Sequence, residues 1–286
     1  MSYKYCCLLT AVKISVPTLT YDIPSQGEQG DGVPAVTLLG DDVFVMHCLS
    51  NQVEVYDANT FTLQRIISVP ALGCSWGLAA CAHHRCLYVS DCARNSVHRT
   101  ELSGSDAVKQ WSVASGSRGL SVNKAHNVVV ACCYRMNKIQ EYTTHGTLVR
   151  EIPLQSGVND PWHAVQLSTG DYVVSKHTSR DVVSVVGVDG QVVRSYRQSQ
   201  TSDEGEMNYP MSLAVTKNDD ILVADSANNR ILSINSSLRS AQQLALPVDD
   251  EIKVPWAICL DESRERLFVG EGCGSCRVLV FDGVRL

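Results

Sequence analysis

Residues 209–235 read YPMSLAVTKNDDILVADSANNRILSIN, and the reading is three short strands. Residues 213–215 form an apolar run, 217–220 a polar turn and 221–224 a second apolar run. Residues 225–229 turn the chain again, and 231–234 alternate as a third strand. Short strands punctuated by Asn, Asp, Gly and Ser are the mark of successive hairpins. Asn228 and Asn229 tolerate the left-handed backbone that a tight turn demands.

The opening phrase recurs along the chain. SWGLA starts at Ser75, SRGLS at Ser117, PWHAV at Pro161, PMSLA at Pro210 and PWAIC at Pro255, with PAVTL at Pro34 a weaker first copy. Measured from the second residue of each phrase, the spacings are 41, 42, 44, 49 and 45. A period in the forties with about four strands per period predicts an all-β, six-bladed β-propeller of four-stranded antiparallel blades. One blade alone exposes two apolar faces, so the copies must close into a ring. Residues 1–286 are therefore expected to form a single domain. Its blades start near 34, 75, 117, 161, 210 and 255, and residues 1–32 serve as a closing segment. The last copy has three strands, at 256–260, 266–271 and 277–281, and needs an outer fourth. Two strand-like runs precede the first copy, at 5–14 and 19–23, and either fits; pairing there removes a sheet edge and ties the chain ends together.

Pro210 together with VADSANNRI at 223–231 resembles an NHL repeat, the propeller unit at the C-terminal end of many tripartite-motif (TRIM-NHL) proteins. The resemblance is strongest in the fifth copy, partial in the second, third and sixth, and weak in the first and fourth. It implies a rigid disc that recruits a protein or peptide, in some relatives a substrate for ubiquitination and in others RNA. The chain has no zinc-binding RING or B-box pattern, so any ubiquitination role would be that of the recognition part alone. The fold itself is neutral about function.

A formal charge of −6 argues against DNA as a ligand. No apolar run approaches the roughly 20 residues of a membrane span. Residues 6–12 are too short, and too soon interrupted by Lys13, for a secretory core. The 12 cysteines follow no framework across the repeats, and Cys81, Cys86 and Cys259 fall in expected core strands. They read as reduced thiols of an intracellular, cytoplasmic protein, monomeric as an isolated propeller.

In a propeller, the entry to each inner strand and the turn between second and third strands lie on one face. That face is expected to carry Trp76, Trp162 and Trp256, with Arg118 and Met211 in the equivalent place of two other blades. A plainer role is open to the indoles, that of wedging neighbouring blades apart. The second-to-third-strand turns hold Arg94, Arg135, Arg180, Arg230 and Arg277. These form either a basic ring for phosphate or an acidic peptide, or local pairs with Asp91, Asp181, Asp225 and Glu271. His163 takes a slot that is small in most other copies, and His47 and His177 end second strands on the same face. They come from too few blades to make a metal site, so no metal and no cofactor is expected. Cys273 and Cys276 form a C-x-x-C in a hairpin turn with no helix to activate a thiol. His83 and His84 fall in a turn on the opposite face. No catalytic constellation is evident. The expected function is non-catalytic binding of a protein or peptide at the channel mouth. The alternatives are RNA binding through a basic and aromatic face, or a metal-dependent propeller hydrolase or lyase.

Overall fold

The computed structural model describes residues 17–24, 32–103, 108–132, 136–155, 157–176, 183–196, 206–246, 252–272, 274–275 and 277–286. Arg135, His177, Arg180, Cys273 and Cys276 lie outside the described residues, as does the N-terminal run at 5–14. Among those described, 24 strands form six four-stranded antiparallel sheets. No described helix is long and apolar enough to cross a membrane.

β1 (Thr18–Pro24) precedes blade 1, which is β2 (Ala35–Leu39), β3 (Asp42–Met46), β4 (Gln52–Asp57) and β5 (Leu63–Ser68). Blade 2 is β6 (Leu78–Cys81), β7 (Cys86–Asp91), β8 (Ser96–Glu101) and β9 (Val108–Ser112). Blade 3 is β10 (Ser117–Val122), β11 (Val128–Cys132), β12 (Lys138–Tyr142) and β13 (Leu148–Pro153). Blade 4 is β14 (Pro161–Gln166), β15 (Tyr172–Lys176), β16 (Val183–Val186) and β17 (Val192–Tyr196). Blade 5 is β18 (Pro210–Val215), β19 (Ile221–Asp225), β20 (Arg230–Ile234) and β21 (Ala241–Gln243). Blade 6 is β22 (Pro255–Asp261), β23 (Arg266–Glu271) and β24 (Arg277–Asp282). The inner strands β2, β6, β10, β14, β18 and β22 contact one another in that order and back to β2, so the ring is closed.

Position in the blade explains the strand sequences. Second strands are covered on both faces by neighbouring blades, so they are continuously apolar: β11 reads VVVAC and every residue is buried. Outer strands face water and are mostly exposed, as in β13. The core is correspondingly six clusters, one per blade interface. Between blades 3 and 4, for example, Val129, Ala131, Ile139 and Ile152 pack on Ala164, Tyr172, Val174 and Val186. Each fully buried aliphatic side chain contributes about 1.5–3 kcal/mol.

The run at 19–23 supplies the missing outer strand. β1 pairs antiparallel with β24, from Thr18 opposite Asp282 to Pro24 opposite Arg277. Blade 6 is further fastened to blade 1. Tyr21 stacks on Phe61 with ring centroids 5.0 Å apart, and the Arg266 guanidinium lies 5.0 Å from the Phe61 centroid. Arg264 bonds Asp261 at 2.7 Å, the Gly40 carbonyl at 3.2 Å, and Asp41.

The third strand of blade 4 stops at Val186 because Gly187 accepts from Gly190 N–H at 2.9 Å and donates to Gln191 O at 2.9 Å. Gly190 takes φ +79° in that turn. The outer strand of blade 5 is short, only Ala241–Gln243.

Candidate functional site

Four of the five residues expected at the channel mouth gather there. The Trp76 indole meets Trp162 edge-on at 5.4 Å and Trp256 at 5.2 Å. The Arg118 guanidinium sits between two rings, 5.0 Å from the Trp76 centroid and 4.8 Å from that of Trp162. Each indole–indole contact skips a blade. Trp76 reaches Trp162 across Arg118 of blade 3, and reaches Trp256 across blade 1, where the equivalent residue is the small Ala35. Trp162 is buried, while Trp76, Trp256 and Arg118 are partly exposed. The fifth residue, Met211, is buried at the start of β18, its carbonyl capped by Ser175 Oγ at 2.7 Å.

Close approach of the inner strands makes the mouth this tight. A Cβ at Gly77 would lie 2.3 Å from Arg118 O, and one at Gly119 would lie 2.6 Å from both Trp162 O and His163 Cδ2. Only glycine fits at either place. Between the indoles and the inner strands is a space of about 30 Å³, lined by Trp76, Trp162, Trp256, Gly77, Gly119 and His163 among others. That is room for a water molecule or two rather than a substrate. Gly272, which the sequence analysis did not single out, supports Trp256: a Cβ there would lie 2.6 Å from the indole.

His163 joins three blades. Its Nδ1 accepts from Leu213 N–H of blade 5 at 3.0 Å, and its Nε2 donates to Leu120 O of blade 3 at 3.1 Å. These partners fix a neutral ring with the proton on Nε2. Burial pushes its pKa down to about 4, against the opposing pull of the Leu120 carbonyl. Both nitrogens are engaged, so neither is available as a ligand. His47 is buried with Nε2 3.2 Å from Glu54.

Of the two arrangements open to the turn arginines, the three described members adopt the local pairs. Arg94 pairs with Asp91 at 3.2 Å, Arg230 with Asp225 at 2.6 Å and Arg277 with Glu271 at 2.6 Å. All three carboxylates are fully buried. Each also accepts a backbone N–H from the strap entering its own blade: Gly73 at 2.9 Å, Asn208 at 2.7 Å and Lys253 at 2.7 Å. One device thus recurs in blades 2, 5 and 6. A carboxylate ending the second strand holds down the incoming chain, and the turn arginine neutralises it. The reason is desolvation: a buried carboxylate needs donors on every side. Beside this network, Cys92 donates its backbone N–H to Cys74 O at 2.8 Å, and burial together with the Cys74 thiol pushes the Cys92 pKa up to about 12.

The NHL-repeat profile matches residues 207–232, the stretch around β18 to β20. No curated protein matches the chain. Among solved structures it is similar to hydrazine synthase of Kuenenia stuttgartiensis, with TM-score 0.68, 15% identity, and 93% of this chain and 100% of that chain covered. It is also similar to a catalytically inactive virginiamycin B lyase of Staphylococcus aureus with quinupristin (TM-score 0.65, 12% identity, 90% and 96% covered). A third is the WD40 β-propeller domain of Doa1 (TM-score 0.63, 13% identity, 93% and 97% covered). At such identities the likeness is one of fold. The chain contains an NHL repeat and is a six-bladed β-propeller.

Proposed function

We propose that the chain is a non-catalytic interaction module whose channel mouth binds a protein or peptide. The observation that carries this reading is Arg118 held between Trp76 and Trp162, with Trp256 alongside. Three large amphipathic rings and a positioned guanidinium form a rigid platform with little side-chain entropy left to lose. A peptide placing an acidic side chain on Arg118 and an apolar one on the indoles matches it. By resemblance to tripartite-motif propellers, such capture serves substrate recognition in ubiquitination. The enzyme reading is weakened because the space beside the indoles is of water size and His163 has both nitrogens engaged. The RNA reading loses the three turn arginines already paired with buried carboxylates.

The test selects peptides from a random display library on the intact chain and measures their affinity by indole fluorescence. Trp76→Ala and Arg118→Ala are expected to weaken the selected peptides at least tenfold while shifting the melting temperature little. Peptides that bind both variants as well as the parent would refute the site. Steeply salt-dependent binding of single-stranded RNA, lost in Arg118→Glu, would replace the peptide reading with the RNA one.

A further inference from the structure

The opposite face carries a group of imidazoles for which peptide capture has no use. His83 and His84 lie in the turn between β6 and β7, His126 in the turn between β10 and β11, and His145 in the turn between β12 and β13. Four of the chain's eight histidines thus lie in turns of blades 2 and 3 on this face, and three of them meet. The His83 and His126 rings stack with centroids 4.2 Å apart and planes 3° from parallel. His83 and His84 are 4.7 Å apart, and His84 and His126 6.1 Å. His145 is near enough to act on the charge of His84.

Their backbones are held firmly. His126 sits at φ +63° and donates its N–H to Asn123 O at 2.9 Å, while Asn123 Oδ1 accepts from Ala125 and Asn127 at 3.0 and 2.9 Å. Gly146, next to His145, packs under the Trp111 ring. The rings themselves are exposed at His83, His126 and His145 and half-buried at His84.

Those spacings are close to what one cation requires. Zinc–nitrogen bonds are about 2.0–2.1 Å, which puts each ring centroid about 3.2 Å from the ion and tetrahedral neighbours about 5 Å apart. The three observed separations bracket that value. As the rings stand, no three donors of the described residues converge on one point. His83 and His126 lie face to face instead, and bringing them to one ion requires side-chain rotation about torsions that solvent leaves free. We propose that His83, His84 and His126 bind a divalent ion of the imidazole-preferring kind, Zn²⁺ foremost. His84 is half-buried, with the His83 ring 4.7 Å and the His126 ring 6.1 Å away, and burial first, then His83, Arg99, His126 and His145, lower its pKa. Arg99, the permanent cation among these neighbours, is paired with Glu101 at 2.5 Å.

The test titrates Zn²⁺ into the thiol-alkylated chain at pH 7.5 by calorimetry, with Co²⁺ as an optical probe of the untreated chain. One equivalent of ion is expected to bind. The double variant His83→Ser/His126→Asn should bind at least tenfold more weakly; asparagine suits the left-handed backbone at 126. Affinity should fall as pH drops through the imidazole range, because protons compete for the same nitrogens. If the double variant melts early, His83→Ser alone makes the comparison. No saturable binding up to millimolar Zn²⁺, undiminished binding in the variants, or a sulfur-to-cobalt charge-transfer band that vanishes on alkylation would each overturn the proposal.

Discussion

Replacing His163 with phenylalanine keeps the ring and removes both of its hydrogen bonds. Leu213 N–H and Leu120 C=O then face each other's blades without the bridge that ties them across blade 4. A buried polar group left unmet costs about 1–3 kcal/mol. The space beside the ring admits water, so the lower half of that range applies to each, or about 2–4 kcal/mol together. For a chain of this size that is a fall of roughly 5–10 °C in melting temperature at pH 7.5. The pH dependence is the sharper part. In the folded state the ring takes a proton only near pH 4, against 6.5 ordinarily. Its contribution is therefore complete above pH 6.5 and is lost as pH falls toward 4, by up to about 3 kcal/mol. Phenylalanine has nothing to titrate. Thermal melts of both proteins from pH 8 to pH 4.5 should show the gap between them narrowing as the medium becomes acidic. A constant gap, or equal melting at pH 7.5, would show that the two ring bonds do not hold the blades.

Gly119→Ala forces a methyl to within 2.6 Å of the Trp162 carbonyl and should cost about 1–3 kcal/mol, read as an earlier urea midpoint. Asp225→Ala removes the buried carboxylate that pairs with Arg230 and accepts from the Asn208 N–H, and a loss of about 3–5 kcal/mol is expected from chemical unfolding. Deleting residues 1–24 removes the partner of β24 and leaves an open sheet edge. Size-exclusion chromatography should then show self-association, and an unchanged monomer with an unchanged melt would contradict the closure. At Asp91 burial raises the pKa, but the bonds from Gly73, Arg94 and Cys74 outweigh it and hold the carboxyl below its ordinary value. Its stabilisation is complete above the ordinary carboxylate range and lost as pH falls through it. Unfolding midpoints should drop between pH 5 and pH 3, and less so in Asp91→Asn.

Blade number, strand order and the place of each phrase could be read in the chain because each depends on local pattern. An apolar run bounded by Asn, Asp or Gly is a strand wherever it stands, and six such units cannot be covered except by one another. That an N-terminal strand closes the ring followed from the sixth copy lacking a fourth strand. Which run does so depended on pairing with β24, and Thr18–Pro24 has the partner. The entrance position of each blade also pointed to Trp76, Arg118, Trp162 and Trp256.

Tertiary structure alone determined what those residues do with one another. Side chains 42 to 180 positions apart in sequence meet only because the ring radius brings them across the channel, so stacking of Arg118 between indoles has no signature in a linear pattern. The turn arginines could have been free or paired. Burial of Asp91, Asp225 and Glu271 made pairing the lower-energy state, and burial is a property of the assembled blades. His163 could have faced the channel as a ligand; the arrival of Leu213 from the next blade gave its second nitrogen a partner instead. Period and polarity reside in neighbouring residues along the chain, whereas desolvation and contact arise only when distant copies are pressed together.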